Sequence, residues 1–151
     1  MKIIKILIVD DHTIFRSGLK LLLEEEKNIK VIGEANNGAE ALIKFKELKP
    51  DMLLLDISMP GQNGLSLIPE FVRIEKNIKI IMLTMYDNVE YLEESLKLGA
   101  KGYVVKRAAD IELVNAIAEV NKGNIYIHPS LTKTFVEKSL HTGENKDEIS
   151  T

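Results

Sequence analysis

Asp51-Met52-Leu53-Leu54-Leu55-Asp56-Ile57-Ser58-Met59-Pro60-Gly61-Gln62-Asn63-Gly64 is the stretch whose reading decides the fold. Met52 to Leu55 are four consecutive large apolar residues, and they run straight into the carboxylate of Asp56. The eight positions that follow hold one Pro, two Gly, Gln and Asn, residues that break regular structure. An apolar run without period-two alternation is the pattern of a strand covered on both faces, so Asp56 is expected at the carboxyl end of a central parallel strand. Open α/β sheets bind their ligands at that edge.

Working outward, Ile6-Leu7-Ile8-Val9 is a second buried strand, ending at Asp10-Asp11-His12. Val31 to Ala35 suits a strand nearer the sheet edge, Ile78 to Thr84 a further strand ending at a hydroxyl, and Lys101 to Lys106 one ending at an ammonium. Between them, apolar residues recur at helical spacing: Ile14, Phe15, Leu19, Leu22 and Leu23; then Ala41, Leu42 and Phe45; then Leu65, Leu67, Ile68 and Val72; then, from Asp110 to Lys122, Leu113, Val114, Ile117 and Val120. Asn63 is expected to cap the third helix and Pro69 to kink it. Asp87 with Glu90 resembles a capping box for a fourth helix that ends at Gly99. Five strand-then-helix units predict an α/β fold with helices on both faces of a doubly wound, five-stranded parallel sheet. After Gly123, residues 124–140 read as an extended connector and a short carboxy-terminal helix, and 141–151, poor in large apolar residues, as a flexible tail. The expected division is therefore 1–123, 124–140 and 141–151.

With 151 residues, 45% of them hydrophobic and 28% charged, the chain fits one globular core. A net charge of -3 provides no broad basic face for nucleic acid. Zero cysteines exclude disulfides, thiolate metal sites and cysteine nucleophiles. No stretch is long enough to span a bilayer and the amino terminus lacks the form of a signal peptide, so a cytoplasmic location is expected.

In a sheet of order 2-1-3-4-5, the flavodoxin-like arrangement, the first and third strands are neighbours at the switch point. Asp10, Asp11 and Asp56 would then meet, with Thr84 and Lys106 on the other side of Asp56. Three close carboxylates repel, and an all-oxygen set with no His or Cys points to a hard cation such as Mg2+. Singly, each residue has a plain structural role open to it: acids at a helix start, a turn residue, a solvated lysine. Their coincidence at matching strand ends is what argues for a site. His12, a lone loop histidine, reads as polar filler and not as a ligand, and Met52, Met59, Met82 and Met85 read as packing.

Asp10-Asp11, the segment Leu55 to Pro60 with Gly64, Leu83-Thr84 and Gly102-Tyr103-Val104-Val105-Lys106 resemble a two-component response-regulator receiver, a CheY-like domain, across about Ile4 to Lys122. Val9 to His12, Leu83 to Asp87 and Gly123 to Leu131 resemble the NarL/FixJ-like subclass, whose members join the receiver to a carboxy-terminal helix-turn-helix; that domain is expected to lie outside this sequence. The resemblance implies that Asp56 is the phosphoacceptor nucleophile for a sensor histidine kinase, with Lys106 and Thr84 assisting. It implies Mg2+ held by Asp11, Asp56 and the Ser58 backbone carbonyl, with Asp10 acting mainly through water, and a switch made of Thr84 and Tyr103. Such a protein catalyses only its own phosphorylation and dephosphorylation and is not a conventional enzyme. It would reach DNA only through the missing domain and no membrane at all, with homodimerisation on phosphorylation an option the resemblance raises. Its output would be transcription regulation. A stand-alone receiver acting in phosphorelay or protein–protein signalling is the alternative. An aspartyl-phosphate phosphatase fits less well, because Asp10-Asp11-His12-Thr13 lacks the Asp-x-Asp-x-Thr spacing of the haloacid-dehalogenase type.

Overall fold

The computed structural model describes residues 2–59 and 61–150, with side chains through residue 140; Pro60, expected to help shape the loop after Asp56, lies outside the described residues. Eleven elements form the main body: β1 (Ile4–Val9), α1 (Thr13–Glu24), β2 (Ile29–Ala35), α2 (Gly38–Leu48), β3 (Met52–Asp56), then α3 (Ile68–Ile74), β6 (Lys79–Thr84), α4 (Val89–Leu98), β7 (Gly102–Val105), α5 (Ala109–Asn121) and α6 (Pro129–Ser150). The minor strands are β4 (Ser58–Met59), β5 (Gln62–Asn63) and β8 (Tyr126–Ile127).

The sheet has six strands in the order β2-β1-β3-β6-β7-β8, every neighbouring pair parallel. Five strands were expected, and the sixth corrects that number: Tyr126 and Ile127 leave the connector to pair with Gly102 and Tyr103 of β7. A two-residue edge strand is too short to carry a sequence period. All five residues of β3 are buried, as the unbroken apolar run requires of a strand with helices over both faces. One core layer joins Leu7, Leu53, Leu55, Phe45, Phe71 and Leu92, beneath α2, α3 and α4; the other joins Ile6, Ile8, Leu54, Leu23, Leu113 and Ile117, beneath α1 and α5.

Three local expectations are corrected. Pro69 does not kink a helix: residues Gly64–Leu67 form a 3-10 turn, α3 begins only at Ile68, and the proline falls in its first turn, where a missing N–H costs nothing. Helix α4 is capped by Asn88, whose side chain accepts from Tyr91 N, while Asp87 pairs with Arg107 Nη2 at 3.0 Å. Ile14 does not face the core; it is 89% exposed, because Arg16, Leu19 and Leu23 take the inner face of α1. Asn63 does cap the turn after β5, accepting from Leu65 N.

Helix α6 runs from Pro129 to Ser150. Leu131 enters the core layer below α4, Phe135 packs against it, and Lys138 Nζ lies 3.2 Å from Glu90 and 3.4 Å from Glu93 on α4. Such exposed ion pairs contribute little, so the two apolar residues do most to seat the helix.

Candidate functional site

Strand register builds the site. Val9 pairs with Leu55, so the residues that follow them, Asp10 and Asp56, leave adjacent strands level with each other. Thr84 pairs with Val105, so Lys106 emerges one residue later at the same edge. The result is a pocket of like charge. Asp10 and Asp56 are 0% and 2% exposed, and ligand atoms of Asp10, Asp11, His12 and Asp56 all lie within 4.8 Å of one another. Lys106 Nζ stands 2.8 Å from Asp10 Oδ2 and 3.2 Å from Asp56 Oδ2, with the Phe15 ring 4.8 Å from the ammonium.

These contacts neutralise charge without completing the hydrogen bonding. Asp56 Oδ1 accepts the Ser58 N–H at 3.2 Å, but Asp10 Oδ2, Asp11 Oδ1 and Asp56 Oδ2 have no directed partner. Burial pushes the Asp56 carboxyl up to about 6; Lys106 pulls against this and Asp10 adds to it. Three carboxylates facing one ammonium leave two negative charges in excess. Oxygen donors with that surplus and open lone pairs fit a divalent cation.

The loop after Asp56 is held tightly. Strands β4 and β5 form a small antiparallel hairpin, with Ser58 opposite Asn63, and Gly64 N donates to Ile57 O at 2.6 Å. A Cβ on Gly64 would stand 2.0 Å from the Asp56 carbonyl oxygen, a backbone atom that cannot swing aside. Gly64→Ala is therefore expected to cost about 1–3 kcal/mol or more, as overpacking does. Urea unfolding checks it, and a midpoint unchanged from wild type would count against the close approach.

Thr84 and Tyr103 meet at Tyr86. Thr84 Oγ1 accepts from Tyr86 N at 3.0 Å, and the Tyr103 hydroxyl donates to Tyr86 O at 2.9 Å. Tyr103 is fully buried and burial holds its phenol at about 12, so it is a neutral donor. Tyr103, expected as half of the switch, thus lies inward in this structure. Thr84 is spent on the loop and not on the carboxylates.

Two residues went unread as parts of the site. Arg16, 8% exposed, binds Glu34 Oε1 at 2.9 Å, Asn36 Oδ1 at 2.7 Å and the Asp10 carbonyl, tying the end of β1 to the edge of β2. Its place three residues before Leu19 on the buried stripe of α1 was the signal available. The second is His12, expected as filler, whose ring Nδ1 lies 3.0 Å from Asp10 Oδ1 and 3.5 Å from Asp11 Oδ1. Ile14, Phe15, Met85 and Arg107 line an open, largely apolar depression beside His12 and Lys106.

Comparison with known proteins bears on all of this. Residues 6–118 match the family model described as the response regulator receiver domain. The chain is 39% identical over 143 residues to the oxygen regulatory protein NreC of Staphylococcus carnosus, covering 93% of this chain and 66% of that protein. With NreC of Staphylococcus aureus strain NCTC 8325 / PS 47 it shares 40% identity over 148 residues, 97% of this chain and 68% of the relative. The chain thus spans about two thirds of the length of these relatives. Among solved structures, a LuxR-family two-component response regulator from Aurantimonas sp. SI85-9A1 superimposes with a TM-score of 0.87 at 28% identity, over 92% of this chain and 99% of that one. The isolated REC domain of RcsB from Salmonella enterica serovar Typhimurium, in the presence of phosphomimetic BeF3-, gives 0.81 at 30% identity over 87% of this chain and 98% of that one. Among the described residues, no helix is long and apolar enough to cross a membrane.

Proposed function

Since this chain belongs to the response regulator receiver domain family, we propose that Asp56 is its phosphoacceptor and that the group comes from the phosphohistidine of a sensor histidine kinase or from a small acyl phosphate. The observation that carries this is Asp56 Oδ2, buried, without a directed hydrogen bond and 3.2 Å from Lys106 Nζ. An Asp56 oxygen attacks phosphorus, the bond from phosphorus to the donor nitrogen or oxygen breaks, and the leaving group departs with its electron pair. Lys106 starts on Asp10 and Asp56 and follows the charge onto the phosphoryl oxygens. Asp11, Asp56 and the Ser58 carbonyl would hold Mg2+, with Asp10 acting mainly through water. When bound, the ion neutralises the charge on the transferring oxygens.

The switch follows from the Tyr86 peptide. Thr84 Oγ1 accepts the Tyr86 N–H, and the carbonyl of that same residue holds Tyr103, so a turn of Thr84 toward a phosphoryl oxygen pulls on the residue that positions the tyrosine. Phosphorylation therefore loosens the loop leading into α4 and shifts the population of α4 and β7 conformations. The output read from this surface is transcription regulation through a DNA-binding domain beyond the residues present here. The relatives' greater length supports that reading.

Incubation with acetyl phosphate and Mg2+ followed by intact mass measurement is the test. A single phosphoryl adduct is expected on the wild type and none on Asp56→Asn. An adduct of equal yield on Asp56→Asn would overturn the assignment.

A further inference from the structure

We propose that His12 is a nitrogen ligand in the acidic pocket, so that the pocket favours a borderline dication such as Co2+ over Mg2+ by more than carboxylates alone would. The inference rests on the reading of Asp10, Asp11 and Asp56 as a cation site. Nδ1 of His12 lies 3.0, 3.5 and 3.8 Å from oxygens of Asp10, Asp11 and Asp56.

The ring nitrogen stands where an ion held by the carboxylates would reach it. Asp10 Oδ1 already accepts the His12 backbone N–H at 2.8 Å, so it does not require the ring. On its other side, Nδ1 is 3.0 Å from Lys106 Nζ, whose ammonium is also served by Asp10 Oδ2 and Asp56 Oδ2. Nδ1 either donates to Asp10 Oδ1 or accepts from Lys106, and each of those neighbours keeps another partner when the nitrogen turns its lone pair to an ion.

Asp10 Oδ2 and Asp56 Oδ2, both on buried side chains, also lack directed partners, as does Asp11 Oδ1. One dication among these atoms engages all of them together, because each then acts as an acceptor toward the same positive centre. Carboxylates alone suit Mg2+, whereas an imidazole adds affinity chiefly for later first-row metals. The preference of this pocket is therefore set by the residue after the aspartate pair. Lys106 must yield part of its contact with His12 when the ion enters.

The test titrates Co2+ and Mg2+ separately into the full chain by calorimetry, with the histidine ring resonances followed by NMR during the Co2+ series. The His12 side chain is half exposed, so His12→Gln leaves the core untouched. The expected result is a loss of about tenfold in Co2+ affinity in His12→Gln, with Mg2+ affinity held within about twofold and wild-type His12 resonances shifted by Co2+. An unchanged ratio of the two affinities would overturn the nitrogen ligand and leave the acidic site standing. If Asp11→Ala binds both ions as the wild type does, the acidic site itself fails and the inference with it.

Discussion

Asp56→Asn is expected to stabilise the metal-free chain by about 3 kcal/mol near neutral pH while removing its capacity to be phosphorylated. Buried in the fold, the Asp56 carboxyl is raised from 3.8 to about 6. A group raised on folding favours the folded state when protonated. Its stabilisation is complete below the unfolded value and is lost as pH rises through the folded one. The window is therefore roughly pH 4 to 6, and at neutral pH the ionised carboxylate carries the whole penalty. Urea unfolding of wild type and Asp56→Asn, compared at about pH 4.5 and pH 7.5, reads the effect as a difference that cancels every other titrating group. The gap should be wide at the higher pH and narrow at the lower. A gap that does not change with pH would rule out the burial of an ionised Asp56. Adding Mg2+ to the wild type should close it from the other side, because the ion binds only the folded pocket.

Lys106→Met is expected to act in the opposite direction, destabilising the chain by about 3–5 kcal/mol at neutral pH, the range for a buried charge stripped of its partner. The Lys106 side chain is 8% exposed, and its ammonium is the one cation within 3.2 Å of both Asp10 and Asp56 among the described residues. Methionine keeps an unbranched apolar stem and removes the charge together with its position over the Phe15 ring, so the loss reads electrostatics and not packing. Part of it should return on acidification through about pH 6, where Asp56 takes up a proton. The double variant Lys106→Met/Asp56→Asn should be clearly more stable than Lys106→Met alone. Strict additivity in that cycle would show that the two side chains do not interact.

What the sequence made legible follows from burial. Strands enclosed on both faces must be apolar throughout, so the points where Ile6 to Val9 and Met52 to Leu55 stop being apolar mark the sheet edge, and the residues standing there form the candidate site. Asp10, Asp56 and Lys106 came together as that logic requires. Hydrogen-bond partners are not written into periodicity. Tyr86 stood out only as one residue of the Leu83 to Asp87 resemblance, yet its peptide joins Thr84 to Tyr103. Arg16 went unread because its partners lie on β2 and in the loop after it. His12 looked idle because ring direction depends on the backbone between β1 and α1. Pro69 was misread for a different reason: a 3-10 turn uses up the residues ahead of it, moving the helix start to where proline is welcome.

Strand β8 covers the outer edge of β7, and His128 N donates to Tyr103 O directly beyond it. The boundary suggested at Gly123 would pass through that pairing. A chain ended there would keep every residue of the phosphoacceptor pocket and yet bare the backbone amides and carbonyls of Gly102 and Tyr103 along an apolar, parallel edge. Such an edge is a template for a strand from another copy, and sheets left open in this way aggregate. A chain that extends through Leu131, whose side chain closes the core layer beneath α4, is therefore expected to self-associate less than one ended at Gly123.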